Sequence, residues 1–301
     1  MLIVLALSGK ALFRLGVMPD AGPRLRNIAM AAHAIGAVAR EHVVVVTHDN
    51  GRPAKEIGPN HANSPHPVDM LKTEREGMSG YLLEQALESE MPGVEVATLV
   101  TDDIAWLVPG GPRYADTEDG RQFAAALGWM VAKEGNGFRE LIPSLGPTGE
   151  LKTIKTLIRA GVLVMPVTDR AMPINEGGGG LRKGAAMVIA TDQVAAVLAY
   201  QVGADLMMFL TDADRLEAEL GTKAAPGLRV TTVDALRKIW FAPGSIGPEV
   251  EAACWFVKST GKRAAIGAPA EAMEVLRGNR GIQVTASGVR CIATQPVARL
   301  T

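Results

Sequence analysis

Leu2-Ile3-Val4-Leu5-Ala6-Leu7-Ser8-Gly9-Lys10-Ala11-Leu12 is the stretch that decides how the chain folds. The apolar run Leu2–Leu7 is long enough for a strand buried on both faces, as in a parallel sheet covered by helices. Ser8, Gly9 and Lys10 make a small-residue turn, and Ala11-Leu12-Phe13-Arg14-Leu15 can continue as a helix. A buried strand, a turn and a helix start bring backbone N–H groups and a positive dipole end to one point, with the Lys10 charge beside it. Phosphate or carboxylate suits that point. An ordinary strand-to-helix turn carries the same signature, and no G-x-x-x-x-G-K-[ST] spacing marks a Walker A loop.

Working outward, Pro23 suits a first helical position, and Leu25, Ile28, Ala32, Ile35 and Val38 recur at helical spacing up to Arg40. Val43–Val46 is a second buried strand, ending in Thr47-His48-Asp49-Asn50-Gly51. Strand, helix and strand make a βαβ unit and hence a parallel sheet, with both strands ending on one edge. Ligands of open α/β sheets bind at that edge. Residues 52–70, with Pro53, Pro59, Pro65 and Pro67, read as a long loop. Gly77–Leu87 reads as a helix and Val94–Val100 as a third strand. Residues 102–118 read as an irregular excursion or lid, Ala124–Ala132 as a helix, and Phe138–Ile142 as a short extended piece stopped by Pro143.

Leu151–Arg159 is helical, ended by Gly161, and Val162–Val167 is a buried strand. Thr168–Pro173 reads as irregular. The glycines Gly177–Gly180 can wrap phosphate, though a flexible hairpin tip is the favoured reading. Ala185–Ala190 reads as a strand, and Asp192 as the N-cap of a helix over Val194–Val202. Leu206–Leu210 is a very apolar strand ending in Thr211-Asp212-Ala213-Asp214, which serves either as ligand-edge carboxylates or as a turn and helix cap. Thr232–Trp240 reads as a helix. Gly244-Ser245-Ile246-Gly247-Pro248 is a tight turn feeding a helix over Glu249–Lys258, a second helix start open to an anion. Ala264–Gly267, a helix from Pro269 to Arg277, and Ile282–Thr285 read as another βαβ repeat. Residues 286–301 show no period and read as a tail.

Composition narrows the function classes. In 301 residues, 32 acidic side chains nearly balance 31 basic ones, which argues against a nucleic-acid or membrane surface. The two cysteines, Cys254 and Cys291, form no C-x-x-C, so neither a disulfide framework nor a zinc site is expected, and the setting reads as reduced and cytoplasmic. The five histidines, His33, His42, His48, His61 and His66, show no helical ligand spacing, and no metal is assigned to them. No G-x-G-x-x-G opens a helix after a strand, which weakens a dinucleotide oxidoreductase.

The order of short motifs resembles the carbamate kinase family, within the amino acid kinase fold, over about residues 2–285. Ala6-Leu7-Ser8-Gly9-Lys10-Ala11-Leu12 resembles the family's Ala-Leu-Gly-Gly-Asn-Ala-Leu. Val45–Gly51 resembles Val-Thr-His-Gly-Asn-Gly-Pro, and Gly77-Met78-Ser79-Gly80-Tyr81 resembles Gly-Met-Ile-Gly-Tyr. Gly128-Trp129 and the run Phe138-Arg139 to Ile142-Pro143-Ser144 resemble its Gly-Trp and Tyr-Arg-Arg-Val-Val-Pro-Ser. Leu210-Thr211-Asp212-Ala213-Asp214 resembles Leu-Thr-Asp-Val-Asp, and Gly244–Ala253 resembles Gly-Ser-Met-Gly-Pro-Lys-Val-Glu-Ala-Ala.

The resemblance implies one α/β domain, a three-layer α/β/α sandwich around an open, mainly parallel sheet. It also implies a substrate-side lobe over roughly 1–180, a nucleotide-side lobe over 181–285, and a C-terminal tail at 286–301. The family moves a phosphoryl group between ATP and carbamate, in arginine metabolism, so ATP or ADP, Mg²⁺, a small acid or carbamoyl phosphate, and a homodimer are the expected partners. By the same likeness Ser8, Gly9 and Lys10 fall on the catalytic phosphate loop and Asp49, Asn50 and Gly51 on the substrate loop. Thr211, Asp212, Asp214, Ser245 and Gly247 fall around the nucleotide.

Three departures bear on activity. The family's motif lysines fall on Val108, Thr191 and Glu249, the last a reversal of charge. Its four-glycine loop falls near Thr168–Ala171, and Asp49 replaces a glycine beside the substrate. Lys10, Arg113, Arg170 and Lys183 are the cations that could compensate. The two readings are therefore an active phosphotransferase and a catalytically lapsed member that binds a nucleotide or small anion as a regulator or partner.

Overall fold

The computed structural model describes residues 1–12, 21–48, 68–101, 103–115, 131–134, 137–167, 171–173, 191–211, 229–239, 241 and 246–287. In chain order the first elements are β1 (Leu2–Leu7), α1 (Gly9–Leu12), α2 (Ala21–Ala39), β2 (Val43–His48), α3 (Val68–Glu90) and β3 (Val96–Val100). The middle holds β4 (Asp103–Ala115), β5 (Val131–Glu134), β6 (Gly137–Thr148), α4 (Leu151–Arg159), β7 (Leu163–Val167) and β8 (Ala171–Pro173). The last part is α5 (Thr191–Val202), β9 (Leu206–Leu210), β10 (Arg229–Thr232), α6 (Val233–Leu236), α7 (Gly247–Thr260), β11 (Arg263–Gly267), α8 (Ala272–Leu276) and β12 (Ile282–Thr285).

The apolar N-terminal run becomes an interior strand of an eight-stranded sheet ordered β10-β12-β11-β9-β1-β2-β7-β3. β1 lies parallel to β2 on one side and to β9 on the other, with Leu7 in register with both His48 and Leu210. Alternate residues point to opposite faces. Ile3, Leu5, Leu7, Val44, Val46, Met208 and Leu210 pack with α2, α3 and α8. Val4, Ala6, Val45, Met207 and Phe209 pack with α5 and α7 on the other face. Burying each such aliphatic side chain contributes about 1.5–3 kcal/mol, which is why the strands carry apolar residues on both faces. The expected α/β/α sandwich with a mainly parallel sheet is thus the observed one.

Several local expectations are corrected. Residues 103–115 are not irregular: they form β4 in a second sheet ordered β5-β6-β4-β8. The register of β4 with β6 shifts between Pro109 and Arg113, so a bulge absorbs the Pro-Gly-Gly-Pro segment that suggested a loop. Phe138–Ile142 does not stop at Pro143, because β6 runs on to Thr148 opposite β4. Val131 and Ala132 pair with Glu140 and Arg139 as strand, not helix; the rest of Ala124–Ala132 lies outside the described residues. Ala171–Pro173 forms a strand beside Asp103–Ala105. Pairing across the sheet overrides local propensity in each case.

Helix ends move as well. α2 starts at Ala21, leaving Pro23 in its first turn, and α3 starts at Val68, inside the stretch expected as loop. Asp192 sits in the first turn of α5 rather than before it. α6 is only Val233–Leu236, capped by the Thr232 hydroxyl accepting from the Ala235 N–H, and turns follow it. Pro269 opens a 3₁₀ turn ahead of α8. Ile282–Thr285 does not complete a βαβ repeat. β12 runs antiparallel to β11, with Ile282 opposite Ile266, because the short helical connection brings the chain back to the end of β11. Gly281 makes that return at φ 69°, and a Cβ there would lie 2.3 Å from the Ile266 carbonyl oxygen. The proposed strand Ala185–Ala190, the glycines 177–180 and the tail from 288 onward lie outside the described residues.

Candidate active site

The parallel strands β9, β1 and β2 end together, so the residues that follow them emerge side by side. Ser8 follows β1 and donates its backbone N–H to the Leu210 carbonyl at 2.9 Å. Its own carbonyl accepts the Ala11 N–H at 2.8 Å, folding the chain directly into α1. Gly9 is the buried first residue of α1, and Lys10 is the second. This places the Ser8-Gly9-Lys10 backbone at the carboxyl edge, in the middle of the sheet.

Thr211 follows β9 and is fully buried; its N–H donates to the Gly267 carbonyl at 2.9 Å, tying β9 to the end of β11. The Thr211 hydroxyl donates to Glu249 Oε1 at 3.5 Å. Glu249 lies in the first turn of α7, behind Gly247 and Pro248, and is itself buried. A carboxylate is favoured at a helix start by the dipole, which offsets part of the cost of burying an acid there. Gly247 opens α7, and the Val250 N–H closes the first turn on the Ile246 carbonyl at 3.0 Å.

The structure therefore brings Ser8, Gly9, the backbone of Lys10, Thr211 and the start of α7 at Gly247 to one edge. Asp49, Asn50, Gly51, Asp212, Asp214 and Ser245 lie outside the described residues, as do Arg170 and Lys183. Of the positions that the resemblance sets against family lysines, Val108 lies in β4, Thr191 opens α5, and Glu249 sits in α7. Arg113 lies in β4.

Sequence reasoning missed one buried pair at the same edge. His48 is the last residue of β2, and its Nδ1 lies 3.5 Å from Glu76 Oε2, with both side chains essentially inaccessible. Glu76 stands on the sheet-facing side of α3, one turn before Gly80 and two before Glu84, which accepts from the Thr98 N–H at 3.1 Å. The signal was present: Glu76, Gly80 and Glu84 recur at i, i+4 and i+8, one face of a helix. A Cβ on Gly80 would stand 2.6 Å from Thr98 Cγ2 and 3.3 Å from His48 Nε2, so glycine lets α3 approach the strand tips. Among the described residues no helix is long and apolar enough to cross a membrane.

The sequence profile of the amino acid kinase family matches residues 1–267. The carbamate kinase of Rhizobium meliloti (strain 1021) is 35% identical over 305 residues, covering 95% of this chain and 94% of its own. The carbamate kinase of Pyrococcus horikoshii is 34% identical over 311 residues, covering 94% of this chain and 98% of its own. Among solved structures, carbamate kinase from Giardia lamblia bound to AMP-PNP superposes with a TM-score of 0.72 at 25% identity, across 95% of this chain and 98% of that one. The strand order, the edge at Ser8 and these likenesses agree: the chain belongs to the amino acid kinase family, on its carbamate kinase branch.

Proposed function

We propose that the chain is a carbamate kinase-like phosphotransferase, moving a phosphoryl group between ATP or ADP and carbamate or a related small acid. The observation that carries this reading is identity of 34–35% to carbamate kinases across nearly the whole of both chains. The arrangement at the sheet edge supports it. Ser8, Gly9 and Lys10 would hold the transferring group, with Asp49, Asn50 and Gly51 around the acid. Thr211, Asp212, Asp214, Ser245 and Gly247 would surround the nucleotide. In this scheme residues 1–180 form the substrate side, 181–285 the nucleotide side and 286–301 a tail.

Phosphoryl transfer asks the protein mainly for positioning and for charge at the equatorial oxygens. The Ser8 turn supplies a fixed backbone, and Lys10 supplies the cation nearest to it in sequence. Mg²⁺ would neutralise phosphate charge when bound with the nucleotide. The Thr211 hydroxyl and Glu249 carboxylate are oxygen donors of the kind that suit such a hard ion. A cytoplasmic homodimer is the expected assembly, and sedimentation checks the dimer.

One observation favours the second reading, a lapsed member that binds a nucleotide or small anion. Glu249, an acid where the resemblance leads one to expect a lysine, is buried against Thr211. A coupled assay of ADP with carbamoyl phosphate separates the two. ATP formation supports the phosphotransferase; nucleotide binding by calorimetry without ATP formation supports the lapsed member.

A further inference from the structure

The pair His48–Glu76 sits directly under the edge that carries the proposed chemistry. Its two side chains are 0% and 1% exposed, and Nδ1 stands 3.5 Å from the carboxylate oxygen, an ion-pair distance. Neither ring nitrogen of His48 makes a hydrogen bond among the described residues. Burying two ionisable groups in this way is no gain over apolar packing of the same volume. Stability alone thus gives no reason for such a pair at the end of β2, where Val44 and Val46 on the same face are apolar. Location gives one. His48 is in register with Leu7, the residue before Ser8, so whatever fixes the tip of β2 also fixes the tip of β1. On the opposite face of the sheet, Thr211 and Glu249 do the corresponding work for β9. The turn at Ser8 is held between two strand tips, each tied to a helix carboxylate.

We infer that His48 and Glu76 form a positioning unit for the reaction, setting the tip of β2 against β1 so that the Ser8-Gly9-Lys10 turn is held in its reactive placement. Both side chains are shut from solvent and act through the strand tips. The inference rests on the phosphotransferase reading. Two turns along α3, Glu84 and Thr98 make a comparable carboxylate–strand contact, on β3 at the sheet's edge rather than beside β1. That pair is the built-in control.

The test compares Glu76→Gln, His48→Gln, their double variant and Glu84→Gln, following ATP formation from ADP and carbamoyl phosphate together with thermal unfolding. A displaced reacting group costs rate more than binding, so Glu76→Gln and His48→Gln should lower kcat by about tenfold to hundredfold with KM little changed. The double variant should lose no more than either single one, as expected of a unit. Glu84→Gln should lower the unfolding midpoint while keeping kcat. Equal kcat losses in Glu84→Gln and Glu76→Gln, or unchanged kcat in both His48 and Glu76 variants, overturn the inference. If His48→Gln does not fold, the isosteric Glu76→Gln carries the comparison. If the wild-type chain forms no ATP, the phosphotransferase reading fails, and amide exchange then tests the unit. Faster exchange at Leu7 and Ser8 in Glu76→Gln than in Glu84→Gln supports it; equal rates refute it.

Discussion

The Thr211 hydroxyl meets the Glu249 carboxylate 3.5 Å away, joining the end of β9 to the first turn of α7 inside the protein. Glu249 is thereby tied to the scaffold. Replacing it with Ala removes that partner from a buried hydroxyl and should cost about 1–3 kcal/mol, read from urea unfolding. Glu249→Gln keeps an acceptor and removes a negative charge from the proposed nucleotide side. ADP affinity measured by calorimetry without added Mg²⁺ should rise, by about threefold or more.

Lys10 is the cation closest in sequence to the Ser8 turn. Its removal should leave folding intact and strip charge from the transition state. Lys10→Ala should lower kcat for ATP formation by about 10²–10³, with the unfolding midpoint unchanged. An unchanged rate takes Lys10 off the catalytic list.

Gly80→Ala pits two effects against each other. Alanine in a helix interior gains about 1 kcal/mol over glycine. The new Cβ, however, stands 2.6 Å from Thr98 Cγ2. Thr98 cannot rotate away without breaking its hydroxyl bond to Glu84. Overpacking of about 1–3 kcal/mol should win, giving a net loss of stability in chemical denaturation.

Asp205 gives the chain a pH-dependent fastening of its N-terminus. Burial works to raise its pKa, but the Leu2 backbone N–H, the Lys262 ammonium and the N-terminal charge together hold it below the usual carboxylate value. A lowered folded pKa contributes stability that is present above the unfolded pKa and lost as pH falls through the folded one. Asp205→Asn should therefore unfold earlier than wild type at pH 7. The gap should close in the acid range below about pH 4. Asp205 is half exposed, so the gap at neutral pH should stay below about 1 kcal/mol.

Local periodicity accounts for what could be read in advance. Leu2–Leu7, Val43–Val46 and Leu206–Leu210 announce buried strands because each is apolar on both faces, and the helices between them force a parallel sheet. The edge at Ser8 and Thr211 follows from that order. β4 was hidden because its Pro-Gly-Gly-Pro segment sits in a bulge whose partner is remote in sequence. The antiparallel turn into β12 was hidden because Gly281 gives no sign of the Ile266 carbonyl it must clear.

The amino-acid sequence by itself determined the layers, the parallel core and the edge where the proposed chemistry sits, since these depend on residue periods within single elements. Tertiary structure alone decided which helix carboxylate meets which strand tip: Glu76 under His48, Glu249 against Thr211. Those meetings depend on strand order and on how closely helices approach the sheet. Both are set by packing between segments far apart in the chain: a local pattern can put Glu76 and Glu84 on one helix face but cannot name the strand residue each one meets.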